Sequence, residues 1–266
     1  MNFTVFFKTK GLTAMYVYAG NDHIAAVTDK IDSDTHKHLM LQISISFHSE
    51  FNISVNKNQF DCKGIIISSN TDHTFHSNQD TQILFLIDNT STIARQLNHQ
   101  YLKDQSYYII DDNSINSIRC LLQQYYPILD KEHYLKFYAQ LFQILQISTN
   151  TNVVMDKRII SLLSQIKNCD SIDHSLEEMA KSVFLSQSRL SHLFKKETGM
   201  RLSSYMVLHK LQKAMFYIFS GKSITEAAIM SRFDSPSHLA AVTKKTLGMS
   251  ARELKEDSVF LKVTTY

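Results

Sequence analysis

Residues that break regular structure are scarce in this chain: its 266 residues include only 2 Pro and 6 Gly. A linker-rich or disordered protein is excluded on that ground, and a hydrophobic content of 44% fits an ordered globular one. The length allows two domains, each with its own core. Long apolar runs are missing too. None reaches the roughly 18 residues that a membrane-crossing helix needs, so no membrane partner is expected. The opening MNFTVFFKTKGLTAMYVYAG has no basic stretch ahead of its apolar residues, so no secretory signal is expected and the reading is cytoplasmic. Cys62, Cys120 and Cys169 are odd in number and stand at no metal-like spacing, which fits free thiols in a reducing compartment. No Ser-His-Asp, Cys-His or paired-carboxylate arrangement is legible, and no enzyme is expected.

What the chain does have is asymmetry. Residues 1–155 carry 11 Lys+Arg against 14 Asp+Glu, a balance of −3, whereas residues 156–266 carry 17 against 11, a balance of +6. A basic half suggests a polyanionic partner, although a solvated helical surface can hold the same excess. Pattern divides the chain in the same way. Up to about residue 90, β-rich runs alternate with polar turns: TAMYVYAG, LMLQISISFH, FNISVN, GIIISS and QILFLID. Beyond about residue 91 the period is helical. SINSIRCLLQQYY is expected to start at a Ser114 cap, and DKEHYLKFYAQLFQILQI carries one apolar stripe of Tyr134, Leu135, Tyr138, Leu141, Phe142 and Leu145. A polar hinge at 148–152 precedes the second half, and the boundary is placed near Asp156.

The basic half repeats itself. SLEEMA (175–180) is echoed by SITEAA (223–228), and LFKKETGM (193–200) by VTKKTLGM (242–249). Two copies do not make a solenoid. In the first copy Leu176, Met179 and Ala180 form the expected buried side of a short helix, and Phe184 and Leu185 the turn. Ser186 caps a second helix, and Gly199 ends it. Leu190, Leu193 and Phe194 share that helix's inner face, leaving Gln187, Ser188, Ser191, His192 and Lys195 outward. This is a helix-turn-helix, whose second helix enters a major groove. One copy alone equally fits an ordinary helical hairpin. Between the copies LSSYMVLHKLQKAMFYIFSG forms one long helix, about 27 Å at about 1.5 Å per residue. Such a spacer would set two reading helices about one duplex turn, roughly 34 Å, apart.

With those residues in view, the region from Arg158 to Leu254 resembles the DNA-binding domain of the AraC/XylS family of bacterial transcription regulators. The resemblance rests on LEEMAKSVFLSQSRLSHLFKKETGM and ITEAAIMSRFDSPSHLAAVTKKTLGMSARE, with Lys-Lys and Gly-Met closing each unit. It implies binding to double-stranded DNA and, for most members, activation through RNA polymerase. It places base contacts in the first unit at Gln187, Ser188, Ser191 and His192, and in the second at Pro236, Ser237, Ala240 and Ala241. Gln pairs with adenine and His donates to guanine, whereas the alanines offer only contact with thymine methyls. The first unit is therefore expected to discriminate sequence, and the second to position the protein. Phosphate contacts are expected from Arg189, Lys195 and Lys196, and from Ser235, His238, Lys244 and Lys245. Three positions depart from the family. Phe184 and Arg232 stand where glycine is usual in the turns, and Thr243 where an inward aromatic is usual.

The first half resembles the small cupin barrel that many such regulators carry as a sensor. His36, His38 and Gln42 match the first cupin motif, with Gln in place of the usual metal-binding Glu. GIIISSNTDH (64–73) resembles the second motif, with its histidine two positions early and Asn70 replacing the expected Pro. The expectation is an effector pocket at His36, His38, Gln42 and His73 with no metal and no cofactor. His73 and His76 are read as pocket lining or surface residues. The helices about 114–147 are expected to pack on the barrel, to supply a homodimer interface, or both.

The expected architecture is α+β. Residues 1–155 form a cupin-like sensor and dimerisation domain with a β-barrel and helices. Residues 156–266 form an all-α domain with helix-turn-helix units about 175–199 and 223–248, joined by a linker helix about 203–220. The favoured function is an effector-controlled, sequence-specific transcription regulator, an activator by resemblance. Two alternatives are a metal-dependent cupin enzyme fused to a DNA-binding domain, and a structural nucleoid-type binder.

Overall fold

The computed structural model describes residues 15–29, 32–78, 80–126, 130–148, 155–168, 175–248, 250–256 and 258–263. The expected 148–152 hinge (apart from Ser148), Cys169 and Met249 lie outside these residues. Five strands fall where the β-rich runs lie: β1 (Met15–Ala19), β4 (Met40–Ser46), β5 (Phe51–Val55), β7 (Gly64–Ile67) and β9 (Gln82–Asp88). Six more have weaker sequence patterns: β2 (His23–Thr28), β3 (Asp32–His36), β6 (Asn58–Cys62), β8 (His73–His76), β10 (Tyr107–Ile109) and β11 (Ser258–Lys262). They form a seven-stranded sheet, ordered β10-β7-β4-β9-β2-β1-β11, and a four-stranded sheet, ordered β3-β8-β5-β6.

β4 explains the layering. All seven of its residues are buried, so both faces of the large sheet are covered there. Leu41, Ile43 and Ile45 point one way, into a core closed by α1 (Thr92–Leu97), α2 (Asp112–Tyr125) and α3 (Lys131–Ile144). The expected stripe of α3 lies in that core with Phe137 added; Tyr134 stacks on Tyr18 with ring centroids 4.6 Å apart. The stripe's inward face is thus a packing surface of its own barrel. α2 begins earlier than expected, because the Asp111 carboxylate accepts from the Ser114 amide and so takes the capping role assigned to Ser114.

On the opposite face the four-stranded sheet covers part of the large one, through Phe51, Ile53, Val55 and Phe75 against Ile65 and Ile67. The rest of that face is covered by the second domain. Met15 and Val17 of β1 share a core with Leu211, Ala214, Met215 and Ile218 of the long helix α7 (Leu202–Phe219). Met40 and Leu86 meet Leu208 of the same helix. This dual duty accounts for the sequence of α7, which is apolar on more than one side, as a helix buried on two sides must be. The tail also returns to the first domain. β11 pairs in parallel with β1, Met15 opposite Ser258 through Ala19 opposite Lys262, so residues after α10 (Ala251–Glu256) belong to the barrel sheet.

α4 (Lys157–Asn168) precedes the repeat, and four helices match the repeated pattern closely: α5 (Leu176–Ser182), α6 (Gln187–Thr198), α8 (Ile224–Met230) and α9 (Pro236–Leu247). Leu176 is a correction, since it lies on the exposed side of α5 and leaves Met179 and Ala180 to fill the crossing.

Candidate nucleic-acid interface and adjoining cavity

The two repeats fold into the same device. Ser175 and Glu178 form a reciprocal capping box at the start of α5, and Ser223 and Glu226 form another at the start of α8. Each satisfies two amides that the helix leaves unpaired. The S-x-x-E spacing is a signal in the repeated segments that fixes both helix starts. Ser186 and Ser235 then cap α6 and α9 through the amides of Arg189 and His238. Gly199 and Gly248 close these helices in the left-handed region, at φ 75° and 71°. Phe184 and Arg232, the two residues in place of turn glycines, both adopt φ 55°. The backbone holds the shape that glycine favours and accepts the strain.

Inside each unit the packing is apolar. Leu190 and Phe194 of α6 are fully buried with Met179, Ala180, Val183 and Tyr205. In the second unit Leu239, Ala227, Ala228 and Phe233 do the same with α7. Thr243, where an aromatic was the family's usual choice, is also fully buried. Its hydroxyl donates to the Leu239 carbonyl one turn back, so the polar group is satisfied locally.

The residues expected to contact DNA lie on the outer faces. Gln187, Ser188, Ser191 and His192 are exposed along α6, and Pro236, Ser237, Ala240 and Ala241 along α9. Arg189, Lys195, Lys196, His238, Lys244 and Lys245 are exposed beside them, with Ser235 half-buried at its capping position. His238 also bonds Asp234, with Nδ1 2.9 Å from the carboxylate. That contact draws its ring toward the protein's own acid.

Both reading helices end against the first domain, a feature that the sequence did not announce. At the end of α6 the Arg95 guanidinium donates to the Glu197 carbonyl at 3.0 Å, and the Asn89 amide donates to the Thr198 carbonyl at 3.1 Å. These donors satisfy carbonyls left free at a helix C-terminus, with a cation where the dipole favours one. Nearby, Lys167 of α4 reaches the buried Asp88 carboxylate at 3.1 Å, whose other oxygen accepts from the Thr90 amide and hydroxyl. At the end of α9, Gly248 abuts β3. A side-chain carbon there would stand 3.0 Å from Ser33 Cβ and 3.2 Å from the His36 ring, so any larger residue would crowd both, at a φ of 71° that already favours glycine.

Between the barrel face and α7 lies a cavity. Met15, Val17, Ile24, Ala26, Leu84, Leu86 and Phe75 line it from the barrel, and Met215, Phe219 and Leu247 from the second domain. Its polar edge is Ser33, His36, His38 and Gln42. The structure therefore gathers three of the four expected pocket residues at one place. His73 lies behind them, buried and bonded to the same Gln42, and its far side borders a separate polar depression with Thr35, Asn56, Lys57 and Asp72. The surface assignment for His73 is thus replaced by burial, while His76 is exposed. Burial holds the imidazoles of His38 and His73 neutral, pushed down to about 4 and about 3, the Gln42 bond partly opposing the shift for His38.

Two capped helix-turn-helix units on one stiff helix, with basic and exposed reading faces, define a DNA-binding transcription regulator. Residues 179–257 match a family model described as a helix-turn-helix domain, and this domain is of the AraC type. No curated protein matches the chain. The whole fold is similar to ToxT from Vibrio cholerae. Against an apo ToxT variant from strain SCE256 the TM-score is 0.60 at 14% identity, covering 89% of this chain and 97% of that one. Against unsaturated fatty acid-bound wild-type ToxT from the same strain it is 0.54 at 11% identity, covering 92% and 94%. Against ToxT from Vibrio cholerae O395 bound to (E)-4-(8-methylnaphthalen-1-yl)but-3-enoic acid it is 0.57 at 11% identity, covering 91% and 98%. Among the described residues no helix is long and apolar enough to cross a membrane.

Proposed function

We propose that this regulator is switched by a small, mainly apolar molecule held in the cavity between barrel and linker helix, and that it acts as an activator. The carrying observation is that Met215 of α7 lines the cavity and also belongs to the core of the second helix-turn-helix unit. A ligand there touches the rod that spaces the readers, so its affinity must differ between the arrangements of that rod. The fatty acid named for the ToxT structure is consistent with an apolar occupant. Here, among the described residues, the lining includes no Lys or Arg, and Ser33, His36 and Gln42 suit a hydroxyl, ester or amide end as well as an acid. The base contacts at Gln187, Ser188, Ser191 and His192, the phosphate contacts at Arg189, Lys195 and Lys196, homodimerisation, and contact with RNA polymerase belong to the same reading. So does the absence of catalysis.

The test is DNA binding to mapped chromosomal sites with and without candidate ligands. A long-chain fatty acid and its neutral alcohol are the first pair to compare. Ala26→Phe should fill the cavity, abolish the ligand response at least tenfold, and leave ligand-free DNA binding within about twofold. A full response in Ala26→Phe sinks the cavity assignment.

A further inference from the structure

Most polar groups on the cavity wall are already used. The Gln42 amide lies against His38 Nε2 at 2.9 Å and donates to the Ser44 hydroxyl at 3.0 Å, and His38 Nδ1 faces the Met40 carbonyl at 2.9 Å. Two groups are not used. The Ser33 hydroxyl is shut off from solvent and has no hydrogen-bond partner among the described residues, yet Ser33 lines the cavity. A buried hydroxyl without a partner is unfavourable, so a molecule that pairs it gains affinity. Beside it, His36 Nδ1 lies 2.8 Å from the Asp34 carbonyl. A carbonyl only accepts, so Nδ1 carries the proton, and Nε2 keeps a lone pair open to a donor. Ser33 Cβ and the His36 ring both stand within 3.2 Å of one point, the place that a Cβ on Gly248 would take. One small group can therefore reach both.

Charge narrows the choice further. Among the described residues the lining includes no Lys, Arg, Asp or Glu. His36 does not stand in for a cation, because burial pushes its imidazole below the ordinary value. The formal charge acting on that ring is the Asp34 carboxylate, which repels an anion. A carboxylate head would lose its hydration here, satisfy Ser33, and turn acceptors toward the His36 lone pair. An ester or ketone satisfies Ser33 alone. A hydroxyl does both jobs at once.

We propose that the cavity takes a neutral amphiphile with a hydroxyl head, of the fatty-alcohol or monoacylglycerol class, which accepts a hydrogen bond from Ser33 and donates one to His36 Nε2. Its chain lies along Met15, Val17, Leu84 and Leu86 of the barrel and Met215 of α7. The assignment rests on the effector reading above and narrows it to one head group. An acid meets both groups only when protonated, so its binding falls as pH rises. Because Ser33 and His36 flank Gly248, the head sits where β3 meets the end of α9.

The experiment is calorimetric titration of the purified full chain at neutral pH with four heads on one chain: dodecanol, methyl dodecanoate, dodecanoate and dodecylammonium. Each is kept below its aggregation limit, and the set is repeated with octyl and hexadecyl chains. The alcohol is expected to bind about tenfold or more tighter than either charged head, and about threefold or more tighter than the ester. Ser33→Ala, which removes the hydroxyl with little change in size, should weaken the alcohol about threefold or more. A charged head that binds as tightly as the alcohol overturns the hydroxyl assignment and leaves the cavity as an effector site. Alcohol affinity unchanged in Ser33→Ala overturns the assignment as well. Alcohol binding that persists in Ala26→Phe, or no saturable binding of any head at any chain length, overturns it together with the effector reading.

Discussion

At the scale of single residues, the chain tolerates two side chains where the backbone wants none. Phe184 is 95% exposed at φ 55°, so it contributes almost no burial to offset its left-handed conformation. Phe184→Gly is expected to stabilise the protein by about 1 kcal/mol, the relief of strain less the added freedom of the unfolded chain. Chemical denaturation measures this, and an unchanged midpoint would refute the strain. His209 of α7 gives a second prediction. Burial comes first, then Lys213 and Lys167, in pushing its imidazole down to about 4, while Asp88 opposes them. The unfolded imidazole titrates near 6.5, so the unfolded state takes up the proton first as pH falls. The stability from a neutral His209 is complete above about pH 6.5 and is lost toward about pH 4, at up to about 1.4 kcal/mol per pH unit. His209→Gln should flatten that part of the stability–pH curve, and an unchanged slope would show that the ring is not buried in solution.

At the scale of elements, the two reading helices have unequal chemistry on similar scaffolds. α6 presents Gln187, Ser188, Ser191 and His192, all able to hydrogen-bond; α9 presents Pro236, Ser237, Ala240 and Ala241. Gln187→Ala is expected to cost about 1–3 kcal/mol at one base pair and to relax specificity there. Lys196→Ala should weaken all sequences alike and reduce the salt slope by about one. Quantitative footprinting over a base-substitution series separates the two outcomes. Equal losses from base changes in both half-sites would defeat the assignment of discrimination to α6. These elements were legible because their signals are local: S-x-x-E boxes, serine caps, glycine stops and a 3–4 spacing of apolar residues. β2, β3, β6 and β8 were not. β6 is Asn58–Cys62, mostly polar and exposed, and β3 is Asp32–His36; both form because neighbouring strands supply hydrogen-bond partners, which no local pattern encodes. The return of β11 to β1 is the most non-local pairing of all, joining residues more than two hundred positions apart.

At the scale of the whole molecule, the expected α+β order of a β-rich part followed by helices is present, except that β11 returns to the barrel sheet. The sequence carried no signal for how the two parts meet. The meeting is made by Arg95, Asn89, Asp88 and Lys167, whose partners lie roughly 80 to 110 positions away in sequence, and by an α7 whose second apolar side only a docked sheet explains. The histidine cluster was legible through resemblance: His36 and His38 stand out by spacing, the second barrel motif supplied His73, and the β3–β8 register sets His73 opposite His36.

α7 has one more consequence. Because Leu208 and Met215 are shared with barrel residues, the part that grips DNA has no complete interior of its own. Cut free, it would carry a greasy flank into water. The barrel half is therefore a structural subunit of the helical half, and mutations that merely loosen the barrel should loosen the helix-turn-helix units with it.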